Sequence, residues 1–546
     1  MSNKTYTDFA AASTTKASKV VTPQTQVIPG REAEMARNNA GGFTFTLDKW
    51  GTLDRFIMIG SEGGNYYVGE KDVTKQSFTN TLACIAEDGV RAVNRAVEYS
   101  VAGRAPKNDP ALVVLALAAA KGSPEVQAAA YDALPKVART GTHLFTFVSI
   151  LNSMGKWNAA AKRGLSKWYT NRSIEKLAVQ MLKYQSRNGW SHRDVLRLAH
   201  VKATNEVQNN LFKYVVKGGE ALSQGDAIPQ LVVDFEYLKR ADSAKDVVRL
   251  IETNKDISWE LVPTQFLKDK DVLMALLPSM GLTAVIRQLG KLTAAGVLAP
   301  MSEGSKLVMA KLSDAEALKA QRVHPITILQ ALKQYSAGHG ERGSLVWSPN
   351  RRIVDSLNDS FYAAFGTLEK TDAGQYIAVD VSGSMSWDSS KVNGSPNLYA
   401  RDVAACMAMA IARTSSNYFV GAFSGHIQEM KISPNMRLDD VLAVMGSMSA
   451  GSTDCSLPMV DAKNKRMSGV DLFTVITDNE TYAGRVQPVQ ALRDYRNAFN
   501  KTAKLCVIGT SVSNFTIADP KDAGMMDIAG FDSAAPQIIA DFASKR

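Results

Sequence analysis

From about Asp72 to Gln334 the chain places apolar residues at three- and four-residue steps, and beyond about residue 366 it switches to short apolar runs alternating with helical segments. One packing period cannot serve both halves, and 546 residues exceed what a single hydrophobic core organises. Two folded units are therefore expected. In the first, Asp109 to Lys121, Ser173 to Tyr184, Asn205 to Val216, Ala244 to Glu252 and Leu282 to Leu292 read as amphipathic helices. Such helices recurring without strands for roughly 250 residues suggest a stacked solenoid of the HEAT type. No strict repeat signature marks it, and a globular all-α domain is the alternative. A breaker-rich stretch, Gly338 to Gly343 and Trp347 to Asn350, precedes a helix from about Ile353 to Gly366. The second unit has strands expected at 376–381, 418–424, 472–477 and 505–509, with a helix from Asn397 to Thr414 between the first two. That alternation predicts a doubly wound, Rossmann-like α/β domain. The expected division is a flexible polar arm at 1–40, a helical module at 41–366 and the α/β domain at 367–546, a multidomain α plus α/β chain.

The apolar run Tyr376-Ile377-Ala378-Val379 ends in Asp380-Val381-Ser382-Gly383-Ser384. One carboxylate and two hydroxyls at alternate positions share a face if the backbone stays extended and then turns at Gly383. Gly451-Ser452-Thr453-Asp454 adds a hydroxyl after a small-residue turn, and Leu472 to Asp478 is a second apolar run ending in a carboxylate. Three loops at the carboxyl ends of one sheet would converge on a cation, and an oxygen-only set favours Mg²⁺, with Mn²⁺ or Ca²⁺ as alternatives, over zinc. The plainer account makes Ser382 to Ser384 a polar turn and Asp478 a helix cap, a coincidence that would have to recur at three loops.

The formal charge of +10 is unevenly spread. From Phe361 onward 17 Lys and Arg face 19 Asp and Glu, so the preceding part carries an excess of +12 and points to a polyanionic partner. Cys84, Cys406, Cys455 and Cys506 are far apart without a C-x-x-C pair, as in a protein of a reducing compartment. The first 30 residues lack the apolar centre of a secretory signal, and no run approaches the ~18 apolar residues of a membrane span. A cytoplasmic protein without membrane contact, and a monomer, is expected.

Within the basic part, Lys183 to Asp194 is the densest candidate. Ser191 and Asp194 form a capping-box pattern that places His192 and Arg193 in a first helical turn. Free amides there, with Lys183, Arg187 and Arg193 nearby, would suit a phosphate, while Tyr184 and Trp190 could stack on unpaired bases. Equally, Trp190 could be core and the basic residues a solvated face. Gly60 to Gly64 lacks the Lys-Ser/Thr ending of a phosphate loop and reads as a turn.

The D-x-S-x-S, Thr453 and Asp478 set resembles the metal-ion-dependent adhesion site of von Willebrand factor A domains, which implies Asp380, Ser382, Ser384, Thr453 and Asp478 as ligands, some through water. Arg187 to His200, Gly60 to Tyr67, Arg322-Val323-His324-Pro325, Gly338-His339-Gly340 and Gly451 to Met459 resemble the TROVE module and the rest of the Ro autoantigen family. The resemblance implies a ring of HEAT-like repeats closed by the von Willebrand A domain. It also implies binding of small noncoding Y-like RNA outside the ring and of single-stranded 3′ ends of misfolded RNA in its hole, with an exoribonuclease as a further partner. By position His192 matches the family's Y RNA histidine, Lys183 and Arg187 are its basic neighbours, and Arg287, Lys291, Arg322 and His324 lie in matching segments. No nucleophile, base and orienter assemble locally, so no enzymatic role is expected. The competing reading is a metal-dependent scaffold whose A domain recruits acidic protein partners.

Overall fold

The computed structural model describes residues 21–544 apart from 63–66, 342, 387–389 and 393–397. Eleven strands occur among the described residues: β1 (Met35–Arg37), β2 (Phe43–Thr46), β3 (Ser186–Arg187), β4 (Trp190–Ser191), β5 (Gln375–Asp380), β6 (Tyr418–Phe423), β7 (Ile427–Glu429), β8 (Leu472–Thr477), β9 (Lys504–Gly509), β10 (Phe515–Thr516) and β11 (Met525–Ala529).

The helical unit is built as the apolar periodicity requires. Asp109–Lys121, opened by a proline in its first turn, is buried along almost its whole length between Glu70–Ala102, Pro124–Val137 and Gly141–Ser153. Glu70–Ala102 bends at Asp88, and the next residue, Gly89, lies where any β-carbon would run into Val126. Successive helices then pack neighbour on neighbour through Ile174–Lys183, His192–Ala199, Glu206–Lys217 and Gln230–Lys239 to Pro325–Ala337 and Arg351–Ala363. The run closes on its own beginning. Arg322 Nε donates to the Val101 carbonyl (2.7 Å), and His324 Nε2 to the Arg104 carbonyl (3.0 Å). The short hairpin β3–β4 interrupts the helices where only a cap is expected, with Asn188 and Gly189 at positive φ in its two-residue turn.

The second unit is a six-stranded sheet in the order β11-β9-β8-β5-β6-β7, parallel except for the edge strand β7. β5 and β8 are buried on both faces, which is why they read as unbroken apolar runs. They lie side by side, yet their connections leave in opposite directions, to β6 and to β9. Their carboxyl ends therefore bound the crevice where open α/β sheets place ligands.

The expected flexible arm requires correction. Residues 1–20 lie outside the described residues, but 21–47 are folded onto the α/β unit. β1 and β2 pair with β10 in a separate three-stranded sheet, and Thr22, Gln24 and Asn38 are buried. Low apolar content misled here because the strap is held by polar bonds: the Thr22 amide donates to Gln490 (2.9 Å), and Arg31 forks onto both oxygens of Asp519 (2.7 Å each). The helix after it, Lys49–Ile59, is pinned by Arg55. This fully buried guanidinium donates to Asp527 Oδ2 (2.7 Å), Ser513 Oγ (2.7 Å) and the Phe515 carbonyl (2.8 Å). Arg104 pairs with Asp532, Lys333 with Asp402 (2.9 Å) and Arg437 with Asp355, so the α/β unit is tied to both ends of the helical circuit.

Removing one partner of a buried ion pair strands the other charge. Arg55→Met is expected to destabilise the protein by about 3 kcal/mol in urea unfolding, and an unchanged midpoint would show that Asp527 is solvated without it.

Candidate metal cup and nucleic-acid interface

Asp380, Ser382, Ser384, Thr453 and Asp478 are all buried and lie on the three loops that meet at the β5/β8 crevice. The Ser382 amide donates to Asp380 Oδ1 (2.8 Å), the Ser382 and Ser384 hydroxyls are 3.2 Å apart, and Ser384 bonds the Asp478 carboxyl. Gly383 N donates to the Gly451 carbonyl (3.3 Å), bringing the Thr453 loop alongside. Thr477, which motif spacing does not single out, donates its hydroxyl to Asp380 Oδ2 (2.6 Å). A helical-module residue also reaches the cup: the Tyr67 phenol bonds Ser384. The turn expected at Gly60 to Gly64 lies just before Tyr67, with residues 63–66 outside the described residues.

Burial, then the field of Asp478, pushes the Asp380 carboxyl up to about 7; burial likewise raises Asp478, and burial together with Asp478 pushes Glu480 up to about 8. At all three, burial is the largest influence. Glu480 is engaged by the strap, through Asn39 Nδ2 and the Ala40 amide. Two buried carboxyls, the charge of Asp478 raising the proton affinity of Asp380, set among hydroxyls, are the donor chemistry of a hard divalent cation, so the residues fit one. Among the described residues no three His, Cys, Asp or Glu side chains are grouped to hold a metal, and a cation here would draw on hydroxyls and water besides Asp380 and Asp478. The cavity beside Ser384 and Asp478, about 80 Å³, is walled by Met58, Ile59, Pro106 and Ile326, so the cup faces the helical module.

The basic residues divide into two groups. Lys183 pairs with Glu260 (3.3 Å) and lies over the Tyr184 ring (5.5 Å), and the Arg287 charge also acts on Tyr184. Lys291 sits 4.5 Å over the Trp259 ring. Arg187, exposed at the end of β3, acts on Asp109 together with Lys107. Thus Lys183, Arg187, Arg287 and Lys291, more than 100 residues apart at their extremes, border one region with half-exposed Tyr184 and Trp259. An open cavity of about 580 Å³ adjoins it, lined by Lys107, Arg287, Lys291, Gln330, Tyr335 and Trp347. Lys107 and Trp259 carry no motif, and only the folded chain brings them in.

His192 and His324 do not stand at the surface as phosphate ligands would. His192 is 1% exposed, packed against Phe145, Trp168 and Tyr169. Its Nε2 faces the Gln180 carbonyl (3.3 Å) and its Nδ1 the Tyr169 hydroxyl (2.9 Å), partners that assign the proton to Nε2. Burial drives its pKa down to about 3, leaving a neutral ring. The capping box is present, but Val195, Leu196 and Ala199 draw that helix inward and the His192 ring with it, leaving Arg193 exposed outside. His324 is likewise buried, capping Pro325–Ala337 by accepting from the Ile326 amide (3.1 Å), with its pKa pushed down to about 4 by burial. Arg322 is committed to the ring seam, and Trp190 packs tilted against Trp157, ring centroids 5.8 Å apart.

Comparison with known proteins places the same two units in one lineage. The TROVE domain profile matches residues 36–230 and 242–334, and the Ro60 vWA domain profile matches 375–543. The chain is 37% identical over 525 residues to the RNA-binding protein RO60 of Deinococcus radiodurans, covering 95% of this chain and 97% of that one. It is 31% identical over 581 residues to the RNA-binding protein RO60 of Caenorhabditis elegans, covering 92% and 89%. The crystal structure of the Deinococcus radiodurans RO (RSR) protein superposes with a TM-score of 0.69 at 35% identity, over 91% of this chain and 99% of that one.

Because Asp380 holds a proton below about pH 7, a cation must displace it there. Mn²⁺ affinity is expected to rise by about tenfold per pH unit between pH 5 and 7 and to level off above that. The sign for the metal-free fold is opposite: a carboxyl whose folded pKa is raised lowers stability as pH climbs from its unfolded value toward 7. An Mn²⁺ titration across that range checks the first, and a pH-independent affinity would exclude Asp380 as a ligand.

Proposed function

The chain belongs to the Ro family, and from that premise we propose that it is a non-catalytic RNA-binding protein of the Ro type, acting in RNA quality control or processing. The observation that carries this is the convergence of Lys183, Arg187, Arg287 and Lys291 on one region beside Tyr184 and Trp259. Cations alone would suit any polyanion. Cations interleaved with half-exposed aromatic rings suit unpaired nucleotides, whose phosphates take the charge and whose bases take the ring faces. The adjoining 580 Å³ cavity has room for them. Single-stranded ends of misfolded RNA are the proposed ligand at this region, and a small structured Y-like RNA is proposed on the outer face that presents Arg193 and Arg197. An exoribonuclease is a fitting partner for a protein that holds such ends.

The cup is proposed to hold Mg²⁺, with Asp380 and Asp478 supplying charge and Ser382, Ser384 and Thr453 neutral oxygens. Its burial against Met58, Pro106 and Ile326 favours a joint between the two units over a surface that captures acidic proteins. The four cysteines are buried free thiols, which fits the proposed cytoplasmic location.

Each phosphate neutralised on a single strand contributes about −0.7 to the slope of log K against log[salt]. Lys183→Ala with Arg287→Ala and Lys291→Ala is expected to weaken single-stranded RNA binding and to flatten that slope by about 2, measured by fluorescence anisotropy from 50 to 300 mM salt. A slope equal to wild type would remove this region from the RNA path.

A further inference from the structure

We infer that the N-terminal strap is a working part of the cation site, with Gln24 setting the separation of the two loops that carry Thr453 and Asp478. The inference rests on the metal reading above. Gln24 is fully buried, and all four hydrogen-bonding positions of its carboxamide are used. Its Oε1 accepts from the Thr481 hydroxyl (2.5 Å) and the Gly484 amide (3.0 Å), while its Nε2 donates to Asp454 Oδ1 (2.7 Å) and the Val486 carbonyl (3.1 Å). Asp454 follows Thr453 directly, and Thr481 lies three residues beyond Asp478. One side chain therefore spans both ligand loops, and neither can shift against the other without breaking it.

The strap has no slack. The Gln24 amide donates to the Gly484 carbonyl (3.0 Å), and its own carbonyl accepts from Phe43 N (2.7 Å). Asn38 Nδ2 donates to the Thr481 carbonyl (2.8 Å), and Asn38 Oδ1 accepts from Gly42 N (2.8 Å). A β-carbon at Gly42 would collide with the Thr481 carbonyl, and one at Gly484 with Gln24 and Asp454. Nor is the carboxamide replaceable in kind. A Glu would set a second carboxylate against Asp454, and a Leu would leave the Gly484 amide and the Val486 carbonyl unpaired in a dry site. Gln24 touches no cation, so it is a positioning residue, and groups that orient metal ligands typically influence affinity by about 10–100-fold.

The test is Mn²⁺ binding to the full chain at pH 8, followed by electron paramagnetic resonance, for wild type, Gln24→Leu and Asp380→Ala. Gln24→Leu is expected to weaken Mn²⁺ by at least about tenfold and to alter the spectrum of the bound ion while circular dichroism stays that of wild type. If Gln24→Leu does not fold, Asn38→Ala, which loosens the same strap where it meets the Asn479 and Thr481 carbonyls, is expected to shift affinity and spectrum in the same direction. Wild-type affinity and spectrum in the folded strap variant, with binding lost in Asp380→Ala, would overturn the inference and leave the metal reading standing. Equal binding by wild type and Asp380→Ala would instead sink the metal reading, and this inference with it.

Discussion

The architecture depends on a weld between opposite ends of the chain. Residues 22–55 bond to partners more than 400 positions later: Thr22 to Gln490, Gln24 to Asp454, Arg31 to Asp519 and Arg55 to Asp527. A run of packed helices gains from each neighbour in turn and has no intrinsic reason to return to its start. Here the first helices are committed to the α/β unit by the strap, and the last helices meet the same unit through the pairs Lys333–Asp402 and Asp355–Arg437. Both ends of the circuit are thus brought to one platform, and the seam between Val101 and Arg322 closes where they meet.

The same platform concentrates electrostatic stress. Asp380 and Asp478 lie in the crevice between β5 and β8, where burial raises the proton affinity of both and the charge of Asp478 raises that of Asp380 further. A buried charge must be neutralised by a proton, a partner or a cation. Because the crevice also faces Pro106 and Ile326, whatever relieves it bears on the contact between the two units. The cations Lys183, Arg287 and Lys291 line a separate region of the helical unit.

Much of this was legible in the residue order. Helices such as Asp109–Lys121 and strands such as β5 and β8 lie where their periodicities put them, because amphipathic spacing and unbroken apolar runs are local properties. The cup was legible for the same reason, each loop being a short motif at a strand end. His192 shows the limit. Its capping box was readable, but whether a ring in the first helical turn faces solvent or core depends on Phe145 and Trp168, on other helices. The strap shows the converse, for a polar segment read as flexible is held by hydrogen bonds whose partners lie in the last hundred residues of the chain.

Taken alone, the sequence determined that two units exist, one helical and one α/β, that oxygen donors gather at three strand-end loops, and that the positive charge belongs to the helical unit. Backbone dihedrals and side-chain periodicity act over a few residues, and composition sums without regard to place. Tertiary structure alone decided that the helical run closes, that Lys183, Arg287 and Lys291 share a region with Trp259, that both histidines turn inward, and that Gln24 brackets the loops of Thr453 and Asp478. Each of these is a contact between segments far apart in the chain, set by which faces remain to be buried once the local elements have formed.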